Sequence, residues 1–427
     1  MRVVAGMGRA GGVYGLRRLR EPAFLRLVLI VVAVILVGFR ALQFILFTTQ
    51  VQWGYDFSAY WQAGGNLLSG DPIYQAHQLA GPYPPQQQYL YLYPPPLAAV
   101  AMLFHQPWSV WNLLAPGDYR AAAWAWTAVG AVVLLATVMA IARAEGLTDR
   151  IRRAMGLGPW LLVAAAIGFP PVVGELVLGN VHLLLLGLLG LAWLGIRGGT
   201  VRGERIAGVA IGVAVVIKVF PGILLLWLLL TRRWQGAAFV VVGVVATTLV
   251  TLPFTGTQPW LDYPTVLANL AAPADTRDTL APTVWLAEWI GFLPARLIVT
   301  GAGLLLVAWS ALRLTTRMSF TVAVLVSILV APALYHHYLA ILVLPFLLLL
   351  AGGRPIAWLA VAYLLMSGGE QTALGDLSWI VNRGFPTAGA LVLLVLALMR
   401  GPASGDLEGE GSPSPPQLAR YELEEPG

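Results

Sequence analysis

Long apolar runs separated by short polar or basic stretches dominate the chain. They lie near residues 22–47, 120–142, 158–175, 180–196, 206–217, 220–230, 236–252, 296–312, 319–334, 338–351, 356–367 and 385–399. The runs lack the polar face of a helix lying on a soluble core, so they predict helices solvated by lipid. Several are shorter than the ~20 residues that cross a ~30 Å hydrocarbon core. These read as half-helices or re-entrant pieces, which a membrane accepts only where the broken backbone is shielded by protein or water. The expected fold is an all-α polytopic membrane bundle of about 12 spanning or partly spanning helices, with further helices in its outer loops.

Composition sharpens that picture. Of 427 residues, 58% are hydrophobic and 11% charged, against roughly a quarter charged in a soluble domain, which excludes a water-soluble fold. Without cysteine, disulfides, thiolate catalysis and Cys-ligated metals are excluded. The formal charge of +6 does not indicate a nucleic-acid partner, because the basic residues sit beside apolar runs, as topology signals do. With a cytoplasmic N-terminus, inner segments hold 20 arginines and outer ones 5, namely Arg40, Arg120, Arg277, Arg296 and Arg383. The positive-inside rule then puts both termini in the cytoplasm of a plasma-membrane protein. All five histidines, His77, His105, His182, His336 and His337, fall outside or at outer helix ends, so chemistry is expected to face outward.

Three regions follow. Residues 1–21 form a cytoplasmic segment leading into an uncleaved first span, since the apolar run continues through Phe47 and exceeds a signal-peptide core. Gly6, Gly8 and Gly11 match a dinucleotide fingerprint, but no strand precedes them and the chain has 46 glycines. Residues 22–400 form the membrane domain, with large outer loops near 48–119 and 253–295. The first loop is too aromatic for a mere connector and holds a short helix near Leu97 to Phe104. Residues 401–427, rich in Ser, Pro and acids, are an expected disordered tail.

Few residues carry candidate chemistry, and each has a plain structural reading beside the functional one. Asp56, among aromatics just past the first span, is either a general base toward a hydroxyl acceptor or a helix N-cap. Lys218, the lone lysine beside 25 arginines, is either a point charge for a lipid-linked phosphate or a snorkelling side chain. Basic flanks at Arg202/Arg205 and Arg232/Arg233 favour a hairpin around it. Adjacent His336 and His337 point in different directions on a helix, and as a metal pair they lack a second ligand cluster of zinc spacing. No metal or other cofactor is expected. Arg40 either meets an anionic headgroup or snorkels. Glu175, Asn180 and His182 mark a tight turn that needs no function, yet with Asp56 they suffice to line a polar cavity. Gly208 and Gly212 read as close helix packing.

The order of motifs resembles glycosyltransferase family 87. It runs from Asp56-Phe57 with Tyr60, through Gly70-Asp71-Pro72-Ile73-Tyr74, Tyr93-Pro94-Pro95-Pro96, Gly179-Asn180 and Lys218-Val219-Phe220-Pro221, to Ala331-Pro332 through His337. The resemblance implies a GT-C-type membrane enzyme similar to polyprenyl-phosphate-mannose-dependent mannosyltransferases. Asp56 matches the family's first-loop acid, the implied base, and Lys218 its Lys-x-x-Pro. His337 matches its histidine after a Ser-Pro-like turn. Gly179-Asn180 stands where the family often has Gly-Gln, and Ala331-Pro332-Ala333-Leu334-Tyr335 where it has Ser-Pro-x-Ser-Trp. The implied partners are a polyprenyl-phosphate sugar donor, a lipid or glycan acceptor and membrane lipids. Lys218 and His337, with Arg40, Arg296 and His336 as further candidates, would serve the donor phosphate, and Tyr60, Glu175, Asn180 and His182 the substrates. The rival expectation is a transporter or flippase of a lipid-linked sugar, whose matched broken helices would need a second pair that the sequence does not display.

Overall fold

A computed structural model describes residues 22–49, 53–81, 90–105, 118–270, 279–368 and 380–399. The N-terminal segment with its glycine fingerprint and the C-terminal tail lie outside these residues. Every regular element among them is helical. Helix α1 (Pro22–Phe47) is followed by the loop helices α2 (Tyr55–Ser69), α3 (Ala76–Ala80) and α4 (Pro95–Met102). Then come α5 (Tyr119–Ala144), α6 (Leu147–Met155), α7 (Trp160–Gly168), α8 (Pro170–Leu178), α9 (His182–Arg197), α10 (Val201–Ile217), α11 (Ile223–Leu230) and α12 (Trp234–Thr255). Helices α13 (Gln258–Leu270), α14 (Pro282–Ile290), α15 (Phe292–Arg313), α16 (Thr316–Leu329), α17 (Val343–Ala351), α18 (Ile356–Leu365) and α19 (Phe385–Leu398) complete the bundle.

Among the described residues five helices are long and apolar enough to cross a membrane, and six shorter apolar ones accompany them. The bent pair α7–α8 turns by 66°. The break has a chemical cause. Phe169, the residue before Pro170, is extended (ψ 113°), so α7 ends at Gly168 and carbonyls of its last turn lose their helical donors, the Val172 N–H turning to Phe169 instead of Gly168 and the Phe169 N–H to Ala166 instead of Ala165. Side chains replace them: Arg40 Nε donates to the Gly168 carbonyl at 3.1 Å, and Tyr363 Oη donates to that of Ala165 at 3.0 Å. Arg40 is completed by Gln43 Oε1 at 2.6 Å. The arginine read from sequence as a headgroup or phosphate ligand is therefore spent on closing a broken span.

Helices α10 and α11 form the hairpin suggested by their basic flanks. The chain rises through α10, turns through extended Lys218 and a 3₁₀ turn at Phe220–Gly222, and descends through α11. Arg233 Nη1 meets Glu204 Oε1 at 2.9 Å and joins the two legs near their base. Gly208 and Gly212 face the α12 backbone so closely that a methyl at either would collide with the carbonyl of Gly236 or Val240, which is why small residues occupy this seam.

The 26-residue α5 spans ~39 Å at 1.5 Å per residue and gives the bundle two chemically different ends. At its start, Tyr119 Oη donates to the Gly54 carbonyl at 2.7 Å. Just past its other end, the fully buried Glu145 side chain accepts from Trp193 Nε1 (2.8 Å), Arg197 Nε (3.0 Å) and Arg317 Nη2 (2.7 Å). That cluster ties α5, α9 and α16 together, and its charge is neutralised within the protein.

Candidate active site

Interrupted helices converge at the level of Trp126, whose Nε1 donates to the Asn180 carbonyl at 3.3 Å. Trp126 lies about seven residues, ~10 Å, into α5 from the Tyr119 end. The site is thus recessed into the bundle rather than mounted on its surface. Four backbone interruptions meet there: the left-handed Gly54 before α2, the left-handed Gly179 between α8 and α9, extended Lys218, and the 3₁₀ segment His336–Leu342.

Gly54, not Asp56, is the residue preceding α2, and it makes no side-chain cap. Asp56 lies instead in the first helical turn, which frees its carboxylate for other partners. Its Oδ2 is 3.7 Å from His337 Nε2, with about 20% of the side chain exposed. Burial pushes this carboxyl up to about 6, while the Asn180 amide and the Lys218 charge pull it down. Nearby, Asn180 Oδ1 accepts from Tyr60 Oη (3.2 Å), Tyr93 Oη (3.1 Å) and the Val181 N–H (2.7 Å), and its Nδ2 donates to His337 Nε2 at 3.2 Å. Asn180 therefore orients two tyrosines and a histidine around Asp56.

Behind this layer lies a second one. The Glu175 carboxylate accepts from the His182 backbone N–H and from His182 Nδ1 at 2.8 Å, and Lys218 Nζ donates to His182 Nε2 at 2.9 Å. The Lys218 ammonium also lies 3.7 Å from the centre of the Tyr338 ring and 5.2 Å from that of Tyr93, a cation–π setting that suits a compact ammonium. Donor atoms of Glu175, His182 and His337 come within 4.8 Å of one another, as in a metal site. Their chemistry does not fit one. Both His182 nitrogens are already partnered, and the Lys218 ammonium stands against the nitrogen a cation would need.

The structure thus brings together Asp56, Tyr60, Glu175, Asn180, His182, Lys218 and His337. It does not bring in the others. His336 turns its Nε2 to the Met366 carbonyl at 2.9 Å, Arg40 serves the α7–α8 bend, and no described hydrogen bond or ion pair joins Arg296 to the cluster. Tyr93 and Tyr338 are additions. Tyr93 had a sequence signal, because the prolines after it force an extended backbone that presents its side chain. Tyr338 had none.

Residues 91–334 match the family model of glycosyltransferase family 87, more than half of the chain. The chain belongs to glycosyltransferase family 87. No curated protein and no solved structure shows a significant match to it. As a family 87 glycosyltransferase it transfers a sugar from a donor to an acceptor at a membrane. The matched segment covers Tyr93, Glu175, Asn180, His182 and Lys218 and ends just before His337.

Gly179 makes one site prediction. Its φ is +69°, and an added Cβ would stand 2.8 Å from Phe57 Cβ, next to Asp56. An alanine there costs about 1–2 kcal/mol for the left-handed backbone and pushes on the first turn of α2. Gly179→Ala is expected to lower the melting temperature in detergent by several degrees and transfer by at least about tenfold. Wild-type values for both would show that the turn is not under this constraint.

Proposed function

We propose that the protein is an inverting transferase that moves a sugar, mannose by the family resemblance, from a polyprenyl phosphate to a hydroxyl of a lipid or glycan acceptor. The observation that carries this reading is a carboxylate, Asp56, and a single ammonium, Lys218, converging in a recess built from broken membrane helices. Asp56 takes the proton of the acceptor hydroxyl as its oxygen bonds to the sugar C1. The bond from C1 to the phosphate oxygen breaks, and its electron pair leaves with the polyprenyl phosphate. Lys218 faces the negative charge that develops there. A retaining route would need a second carboxylate free to act as nucleophile. Glu175 is 1% exposed and committed to His182, which supports inversion.

The two ends of α5 support a membrane sidedness for this reading. The site lies toward the Tyr119 end, and Arg197 and Arg317 gather at the other. By the positive-inside rule this favours a cytoplasmic arginine-rich end and a site on the opposite face.

Purified protein in liposomes, given polyprenyl-phosphate mannose and a lipid extract as acceptor, is expected to form a new glycosidic bond of inverted configuration, detected by mass spectrometry and NMR. Movement of the lipid-linked sugar between leaflets without a new bond would favour a transporter. Because Lys218 holds the position a cation would take, a chelator is expected to leave transfer within about twofold of its untreated rate. Loss restored by a divalent metal would overturn the metal-free reading.

A further inference from the structure

We infer that Glu175 and His182 are positioning residues that fix Lys218 for an anionic ligand with one phosphodiester charge, a role that rests on the donor reading above. Helix capping alone does not account for Glu175. One carboxylate oxygen suffices to receive the free N–H at the start of α9, and its Oε1 does so for His182. The second oxygen, Oε2, is bound to the His182 ring at 2.8 Å, with the two side chains 1% and 0% exposed.

That bond dictates what His182 presents on its far side. An ionised carboxylate only accepts, so Nδ1 must carry the hydrogen and Nε2 must offer its lone pair. Lys218 Nζ stands 2.9 Å from that lone pair. The opposite tautomer would set an N–H against an ammonium. Lys218 itself lies where α10 ends, with extended backbone (φ −153°, ψ 132°), and its ammonium also rests on the Tyr338 ring. Of its three N–H bonds, one is fixed by His182, and the Tyr338 face restricts the ammonium further. What remains is aimed. Glu175 supplies the counter-charge through the imidazole without touching the ammonium, so the lysine is balanced at rest yet open to a ligand anion. A sugar phosphodiester brings one negative charge, and its departing phosphate becomes a dianion. A fixed lysine gains most from that second charge, which appears as the bond to C1 breaks.

The test is a double-mutant cycle joined to a spectroscopic one. Glu175→Gln keeps the size of the side chain, but its single oxygen cannot accept from both the His182 backbone N–H and Nδ1–H, so the required tautomer is no longer enforced. It is expected to lower transfer about tenfold to a hundredfold, and to cause no further loss in a Lys218→Met background. A merely structural Glu175 would add its loss to that of Lys218→Met. In ¹⁵N-histidine protein in liposomes, the His182 signal, assigned through its contact with a ¹³C-labelled Glu175 carboxyl, is expected to show protonated Nδ1 and unprotonated Nε2. Additive losses, or a proton on Nε2, would overturn the inference. If Glu175→Gln does not fold, the wild-type tautomer decides alone. Full transfer by Lys218→Met would instead sink the donor role of Lys218, and the tautomer measurement would still report whether Glu175 fixes His182.

Discussion

Asp56→Asn is expected to abolish sugar transfer, with a loss of about 10²–10⁴-fold or more, while the protein remains folded. Asparagine keeps the shape and can still hydrogen-bond, but it cannot take a proton from an acceptor hydroxyl. The folded-state carboxyl titrates near 6 rather than 3.8 because burial disfavours its charge. The sign of this shift separates chemistry from folding. A carboxyl whose folded pKa is raised destabilises the folded state when ionised, a cost fully present above about 6 and gone below 3.8. Removing the charge should therefore leave the melting temperature in detergent at neutral pH unchanged or higher. The same shift sets the acid limb of activity. Since only the ionised base accepts a proton, kcat/KM in wild type should fall about tenfold per pH unit below about 6. A variant with more than about a tenth of wild-type turnover, or an acid limb near 4, would remove Asp56 as the base.

The pattern of the sequence made much of this legible, for identifiable reasons. Lipid demands long apolar runs, so helices α1, α5, α12, α15 and α19 are readable one by one, and runs too short to cross announce breaks. Charges in such a setting are rare, so Asp56 and Lys218 stand out in the sequence. Their partners could not be read in the same way. Asn180 and Glu175 look like turn residues until tertiary packing places Tyr60, Tyr93 and His337 around one and His182 against the other. The structural task of Arg40 has no local trace, because the Gly168 carbonyl it serves is freed by a helix break 128 positions away, yet the demand of that carbonyl for a donor is strong. The histidine pair divided as helical geometry suggests, but no local feature says that His337 meets Asp56 and His336 meets Met366.

Lys218→Met carries the second large effect. Methionine matches the apolar stem of lysine as far as Cε and removes the charged head, so α10 and α11 keep their packing while the contact of the ammonium with the Tyr338 ring is lost. What is lost is the one ammonium in the recess, and with it the charge proposed to face the departing phosphate. Removing a single preorganised donor of this kind costs about 10²–10³-fold in kcat, and that is the expected loss. His182 Nε2 is left as a buried acceptor without a partner, costing about 1–3 kcal/mol, so some decline in melting temperature accompanies it. Two further variants separate charge from stability. Lys218→Arg keeps a positive charge but replaces a compact ammonium by a longer planar fork. With His182 Nε2 at 2.9 Å and the Tyr338 ring at 3.7 Å from Nζ, that fork has no room to sit as the ammonium does, and transfer should recover little. Lys218→Ala, in contrast, opens a space that a small alkylammonium ion can enter, and added ethylammonium should restore part of the rate in proportion to its concentration. Rescue by a free cation identifies the missing element as a point charge and not as a side chain needed for folding. If Lys218→Met transfers sugar within about threefold of wild type, Lys218 does not have the leaving-group role proposed for it.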